Sequence, residues 1–337
     1  QFITYNVNGL SCPGKRFRLF NELHHRATSV VFLQETHFEI EVNVKLKSKH
    51  YPTWYYADSP IKRAKGVAIG FAKNMRFELE DRRIDPEGRF LFLKGRLQGI
   101  ECTLANIYCP NKNPEMYMKG LLKKLMEFKT GRLIVAGDLN FCMDPQKDNT
   151  SSVQREGSRS LRALKKVMHE YQLVDTWRIK HMKDRDYTFF SNAHEIYSRL
   201  DYILIDHQLI DHLVKIDIET RTFSDHAPVV MKMGWGRRWT GGLGWRLNEG
   251  LLLDEDVVQK IEKEIKIYFK ENETKEVSIA TVWESHKVFI RGILIVAGAR
   301  KKKERRERVS GLLKEILDLE QIHKKKITKD TRQSVIG

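Results

Sequence analysis

The stretch Leu133-Ile134-Val135-Ala136-Gly137-Asp138-Leu139-Asn140 carries four apolar residues into a glycine, a carboxylate and, two positions later, a carboxamide. Apolar runs of four to eight residues read as buried strands. The same pattern recurs in Phe2-Ile3-Thr4-Tyr5 before Asn6, in Val30 to Leu33 before Glu35, and in Leu104 to Ile107 before Tyr108. Asp225 and His226 sit beside a further strand. A buried carboxylate or carboxamide costs several kcal/mol unless it is paired, hydrogen-bonded or bound to a metal. Five such placements predict convergence on one site.

Outward from these strands, the text to about Met233 alternates strands with amphipathic helices, predicted at Lys15 to His24, Pro114 to Phe128 and Ser160 to Leu173. In the last, Leu161, Leu164, Val167, Met168 and Tyr171 share one face at the 3.6-residue period. Gly66 to Ala72, Arg89 to Leu97 and Glu101 to Tyr108 leave no room for helices between them, and Gln98-Gly99 is a turn. Such a mixture predicts two packed sheets rather than one parallel sheet. Tyr187 to Ser191 and Ile196 to Ile205 read as a hairpin with the polar tip Asn192-Ala193-His194-Glu195.

The glycine-dense segment from Gly234 to Gly244 ends the strand pattern and marks a domain boundary. The chain therefore divides into residues 1–233 and a helical extension, 234–337, whose apolar spacing at Val257, Val258, Ile261, Ile265, Tyr268 and Phe269, then Leu312, Leu313, Ile316 and Leu317, is that of long amphipathic helices.

Sixty Lys and Arg against 44 Asp and Glu give a net charge of +16. The excess is +9 before the boundary and +7 after it, so no single tail carries it. That balance favours polyanionic partners such as nucleic acid or an acidic membrane face. From Arg300 to Arg308, seven of nine residues are basic; such a run is either a solvated helix face or a nucleic-acid contact. Cys12, Cys102, Cys109 and Cys142 show neither metal-site spacing nor a disulfide framework, as expected of a reduced, intracellular protein. No apolar stretch approaches the roughly 18 residues of a membrane span. The chain opens on Gln1 within a strand, as a piece of a longer frame would.

Hydrolysis of a phosphodiester needs an oriented water, a base, cationic charge at the phosphate and help for the leaving oxygen. Glu35 is a hard oxygen ligand of the kind that suits Mg²⁺. Asp138 and Asn140, two apart in an extended segment, point to one side; one can orient or deprotonate water while the other donates to phosphate. Asn6 and Asn8 repeat that geometry, and either pair can equally be a turn with its glycine. Asp225-His226 supplies a carboxylate near a metal and an imidazole for phosphate. Asp201 can hold that imidazole in one tautomer and raise its pKa.

In order along the chain, Asn6-Val7-Asn8-Gly9-Leu10, Leu33-Gln34-Glu35-Thr36, Asn106-Ile107-Tyr108-Cys109-Pro110-Asn111, Gly137-Asp138-Leu139-Asn140, Arg199-Leu200-Asp201-Tyr202 and Ser224-Asp225-His226 resemble the endonuclease/exonuclease/phosphatase superfamily. Within it, Gln34-Glu35-Thr36-His37, Tyr187-Thr188-Phe189-Phe190-Ser191 and Tyr197-Ser198-Arg199 are most like the endonuclease of LINE retrotransposons. Trp245-Arg246-Leu247-Asn248 resembles the segment that leads from that endonuclease towards a reverse transcriptase.

The resemblance implies a four-layer α/β sandwich, two packed β-sheets flanked by helices, followed by an α-helical extension. It implies Mg²⁺, with Mn²⁺ able to substitute, on Glu35 with Asn8 and Asp225, and a catalytic group of Asp138, His226, Asp201, Asn140 and Tyr108. Asn6, Asn111, Thr188, Asn192 and His194 would contact phosphate or DNA. The implied reaction is hydrolysis of double-stranded DNA to 3′-hydroxyl and 5′-phosphate ends in the nucleus, with RNA as a second partner for the basic extension and no membrane. Where many repair members carry Asp this chain has Asn8, which removes a carboxylate ligand and tells against strong abasic-site activity. An exonuclease III-type repair nuclease, an inositol-lipid phosphatase and an idle nucleic-acid-binding fragment remain alternatives.

Overall fold

The computed structural model describes residues 1–38, 46–61, 64–151, 158–234, 247–272 and 279–325. Its first elements are β1 (Phe2–Asn6), α1 (Pro13–His25), β2 (Val30–Gln34), β3 (Thr53–Ala57), β4 (Val67–Phe71), β5 (Phe77–Ile84), β6 (Phe90–Leu97), β7 (Ile100–Tyr108) and α2 (Pro114–Phe128). Then come β8 (Arg132–Asp138), α3 (Arg159–Glu170), β9 (Leu173–Asp175), α4 (Thr176–Lys180), β10 (Phe189–Ser191), β11 (Ile196–Ser198), β12 (Asp201–Asp206), β13 (Leu213–Ile218) and β14 (Val229–Met233). Two helices follow, α5 (Glu255–Asn272) and α6 (Ile279–Lys325). The chain divides into two compact units, Gln1–Trp239 and Thr240–Gly337.

One six-stranded sheet runs β13-β14-β1-β2-β4-β3 and the other β5-β6-β7-β8-β12-β9. Alternation along each strand sorts side chains between two apolar layers. Phe2, Val30, Phe32, Ile69 and Phe71 of the first sheet meet Leu91, Leu93, Leu104, Ile134, Ala136, Ile203 and Ile205 of the second between the sheets. The intervening residues Ile3, Tyr5, Val31 and Leu33 pack outward against Leu19 and Leu23 of α1. On the opposite outer face Phe92, Ala105, Ile107, Leu133, Val135 and Leu204 pack against α2 and α3. Both faces of the central strands are thus buried, which is why their sequence is continuously apolar. The result is the four-layer α/β sandwich.

The same alternation sets the site. Asn6, Asp138 and Asp201 continue the inward-facing series of β1, β8 and β12, as Gln34 and Asn106 do in β2 and β7. At the ends of these strands the inner layer changes from hydrocarbon to amide and carboxylate. Gln34 Nε2 donates to Asn106 Oδ1 across the two sheets at 2.6 Å and to Thr4 Oγ1 at 3.0 Å, and Asn106 Nδ2 donates to the Leu33 and Ala68 carbonyls. These buried amides are therefore satisfied.

The predicted hairpin is shorter than its sequence suggested. β10 and β11 have three residues each, and the chain leaves them at Arg199-Leu200 to enter the second sheet as β12. The cause is Arg199, 1% exposed, whose guanidinium donates to both oxygens of buried Asp148 at 3.0 and 2.9 Å and to Asp175 at 3.2 and 2.7 Å. The predicted helix to Leu173 likewise stops at Glu170, because Leu173 begins a strand paired with β12.

In the second unit Leu251, Val257, Ile261 and Leu294 form a small core of their own. Leu312 and Leu317, expected on a packed face, are exposed. The boundary residues from Trp235 to Gly244, with Trp245 and Arg246, lie outside the described residues. Among the described residues no helix is long and apolar enough to cross a membrane.

Replacing Arg199 by Met keeps the bulk but leaves Asp148 buried with only Arg178 as a cationic partner. The expected loss is about 3–5 kcal/mol, read from urea unfolding of the first unit.

Candidate active site

Two parallel pairs, β1 with β2 and β7 with β8, bring four strand ends to the same edge. β12 is antiparallel to β8, so its first residue, Asp201, lies opposite Asp138. β14 is antiparallel to β1, which sets the preceding residues Ser224 to His226 beside Asn6. Ser224 Oγ donates to the Asn6 carbonyl at 2.7 Å, fixing that junction.

Asn6 stands at the centre. Its Nδ2 donates to Glu35 Oε1 and to Asp138 Oδ2, each at 2.9 Å, while its Oδ1 accepts from the Asn8 N–H at 3.1 Å. One buried carboxamide thereby ties a carboxylate of the first sheet to one of the second. His37 Nε2 lies 3.2 Å from the other Glu35 oxygen, and the Tyr108 hydroxyl also bonds to Glu35. Gly9, with φ of 86°, makes room for His37: a Cβ there would lie 2.8 Å from Nδ1 of the ring. Gly137 is equally constrained, since its Cβ would meet the Ile107 carbonyl oxygen at 1.9 Å. The glycine before Asp138 is what lets β7 and β8 approach there.

Asp138 Oδ1 accepts the Asn140 N–H at 2.9 Å. His226 Nδ1 bonds to Asp201 Oδ2 at 2.7 Å and Nε2 lies 3.9 Å from Asp138 Oδ2. The ring lies tilted at 36° against Phe189, with centroids 4.7 Å apart. Asp201 is held by its own backbone, whose N–H, with that of Leu200, donates to Thr188 Oγ1 at 3.2 and 2.9 Å.

The electrostatics follow from these contacts. Burial alone would raise the Glu35 carboxyl, but hydrogen bonds from His37, Asn6 and Tyr108, with the His226 charge, hold it down at about 2. Burial alone would lower His226; the charge and hydrogen bond of Asp201, with Asp138 and Asp225 adding, raise it to about 10. Asp138 is pushed up, to about 7, by burial and then by repulsion from Asp201, against the pull of His226 and Asn6. The site thus sets an ionised Glu35 beside an imidazole whose cationic form is favoured and a carboxyl that holds its proton more tightly than an exposed one.

A divalent cation fits the outer part of this arrangement. Glu35 is ionised, and Asn8 Nδ2 bonds to Asp225 Oδ1 at 3.2 Å, so two carboxylates and a carboxamide supply hard oxygen donors of the kind Mg²⁺ takes. Asp138, Asp201 and His226 also lie close enough to hold an ion. Within that cluster the 2.7 Å bond joins His226 to Asp201, while Asp138 stands 3.9 Å from the other ring nitrogen.

The structure thus gathers Asn6, Asn8, Glu35, Tyr108, Asp138, Asn140, Asp201, Asp225 and His226 at one end of the sandwich. Asn140 already spends its Nδ2 on the Cys109 carbonyl at 2.8 Å. Asn111 is exposed ahead of α2, and Asn192 and His194 are exposed in the turn between β10 and β11. Thr188 is fully buried with its hydroxyl oxygen occupied by two N–H groups, so it supports Asp201 and does not face phosphate. His37, Gln34 and Asn106 were not singled out by sequence reasoning. The signal for the last two was present, because each is a polar residue on an inward position of an otherwise apolar strand.

Residues 3–226 match the Endonuclease/Exonuclease/phosphatase family. Over 330 residues, 94% of the chain, there is 26% identity to the Transposon TX1 uncharacterized 149 kDa protein of Xenopus laevis, of whose length the chain spans 24%. The Xenopus laevis APE2 catalytic domain is similar with a TM-score of 0.55 and 20% identity, over 68% of this chain and 91% of that one. The AP endonuclease LMAP of Leishmania major gives 0.55 and 21% over 69% and 86%. A 3′-5′ exonuclease (NExo) of Neisseria meningitidis gives 0.55 and 22% over 69% and 99%. At such identities the structures speak for the shared fold. The sequence match is what carries kinship, and since it runs from the first strand to the histidine that faces Asp138, the chain belongs to the Endonuclease/Exonuclease/phosphatase family.

Proposed function

We propose that this chain is a Mg²⁺-dependent endonuclease of double-stranded DNA, with Mn²⁺ able to substitute, leaving 3′-hydroxyl and 5′-phosphate ends. The observation that carries this reading is the single carboxamide of Asn6 bonded at 2.9 Å to both Glu35 and Asp138. It joins a cation-binding carboxylate to a proton-accepting one. The likeness over nearly the whole chain to a transposon protein supports target nicking for a mobile element, acting on chromosomal DNA in the nucleus.

When bound by Glu35, Asp225 and Asn8, the cation supplies Lewis-acid charge at the phosphate. Asp138, fixed by Asn6 and by the Asn140 N–H, orients the attacking water and accepts its proton, a task for which a raised pKa is suited. The His226 imidazolium, anchored by Asp201, donates from Nε2 to a phosphate oxygen and stabilises the charge that develops there. The Tyr108 hydroxyl is held at Glu35 rather than ionised, since burial and the Glu35 charge raise its pKa. The water oxygen bonds to phosphorus as the bond between phosphorus and the 3′ oxygen breaks, and the 3′ oxygen takes a proton from solvent water and leaves as a hydroxyl.

Nicking of supercoiled plasmid with Mg²⁺ tests this reading, with an abasic duplex and a phosphoinositide as rival substrates. Asp138→Asn and His226→Ala are each expected to slow nicking by about 10²-fold or more, and EDTA to abolish it. Parent-like rates in both variants, or preference for the phosphoinositide, would overturn it.

Because His226 is raised from 6.5 to about 10 on folding, the stability it contributes is complete below pH 6.5 and is lost as pH climbs through about 10. In Asp201→Asn the NMR titration midpoint of this ring is expected to drop by roughly 1–3 units. An unchanged midpoint would remove Asp201 from the mechanism.

A further inference from the structure

Helix α6 carries the basic run Arg300 to Arg308, and every residue of that run is exposed. Its cations fall into two sets. Arg300 pairs with Glu304 at 3.6 Å, Lys303 pairs with Glu307 at 3.9 Å, and Lys301 pairs with Asp254. Lys302, Arg305, Arg306 and Arg308 have no ion pair among the described residues. Steps of three and four residues join these four, from 302 to 305 to 308 and from 302 to 306, so they line one side of the helix. The intrahelical pairs use up Glu304 and Glu307; Lys301, which falls between Arg305 and Arg308 around the helix, is paired with Asp254, so this side carries four unpaired cations and one paired one.

We propose that this side of α6 is a docking surface for the phosphate backbone of duplex DNA, distinct in its residues from the candidate active site. Charge complementarity selects a polyanion. The choice of a duplex rests on what the helix lacks. From Arg300 to the described end at Lys325 there is no Phe, Tyr or Trp. Single-stranded nucleic acids are held by stacking on aromatic rings and Arg planes, of which this helix offers only the latter on its cationic side, whereas a duplex presents phosphates to fixed cations without needing to stack. The dimensions agree. From Lys302 to Arg308 the helix rises about 9 Å, over which one DNA strand presents about three phosphates. A regular helix holds its cations at fixed intervals, as contact with a regular backbone requires.

The surface deepens the proposed reading by adding a second contact with the same substrate class. Its test is binding without cleavage, so that a failure of the nuclease reading stays distinguishable. Fluorescence anisotropy of the intact chain with a short labelled duplex, in EDTA and across a salt series, gives the slope of log K against log salt. The comparison is between a variant with Lys302, Arg305, Arg306 and Arg308 all changed to Gln and a control with Arg300→Gln and Lys303→Gln from the paired set. Glutamine keeps helix propensity, and circular dichroism checks that helix content is retained.

The slope is expected to become shallower by about 2–3 in the first variant, at about 0.9 for each of about three phosphates, and by less than about 1 in the control. An unchanged slope in the first variant would overturn the proposal. So would an equal loss in both variants, or tighter binding of single-stranded RNA than of duplex by the parent chain.

Discussion

The Asn6 carboxamide holds the site together because, where the apolar filling ends, its one amide group bonds both Glu35 of the first sheet's edge and Asp138 of the second sheet. A sandwich of this kind closes its interior with hydrocarbon, and Leu104, Ile134 and Ile203 do so along most of its length. At the strand ends the same inward positions carry Asn6, Gln34, Asn106, Asp138 and Asp201. Two carboxylates facing each other in such a place repel unless something cationic or donating stands between them. Asn6 donates to one of them and His226 stands against both, so packing and chemistry depend on the same few atoms.

That arrangement divides labour by burial. Glu35 and Asp225 lie towards solvent, where an ion and a phosphate can reach them, whereas Asp138 and Asp201 are 1% exposed. In the proposed mechanism the inner pair handles protons and the outer pair handles charge. His37, wedged over Gly9, bonds Glu35 together with Asn6 and Tyr108 and keeps its carboxylate from rotating freely. Farther from the reacting groups, Arg199 fixes the point at which the chain turns into β12 and so fixes where Asp201 begins.

Much of this was legible in the sequence because period-two alternation is local. A polar residue that closes an apolar run is visible without knowing its partner, which is how Asn6, Glu35 and Asp138 stand out, whereas Asp201 is read from Arg199-Leu200-Asp201-Tyr202 as the acid that can hold the imidazole. What could not be read was set by distant partners. Asp148 sits in a loop with no strand context, and only the fold brings Arg199 to it, so the hairpin was drawn too long. Thr188 looked available for phosphate because it lies in a motif beside the site, and only its burial shows that its oxygen is taken by backbone N–H groups. In α6 the charge pattern was plain, but the sorting of cations into paired and unpaired sides required side-chain positions.

The central claim is that one carboxamide couples the cation-binding carboxylate to the proton-accepting one. The most direct measurement is the single-turnover nicking rate of Asn6→Ala as Mg²⁺ is titrated. Coupling predicts two simultaneous defects: a higher Mg²⁺ concentration for half-maximal rate, because Glu35 loses a fixed partner, and a lower rate at saturating Mg²⁺, because Asp138 does as well. A variant that matches the parent at every Mg²⁺ concentration would contradict the account.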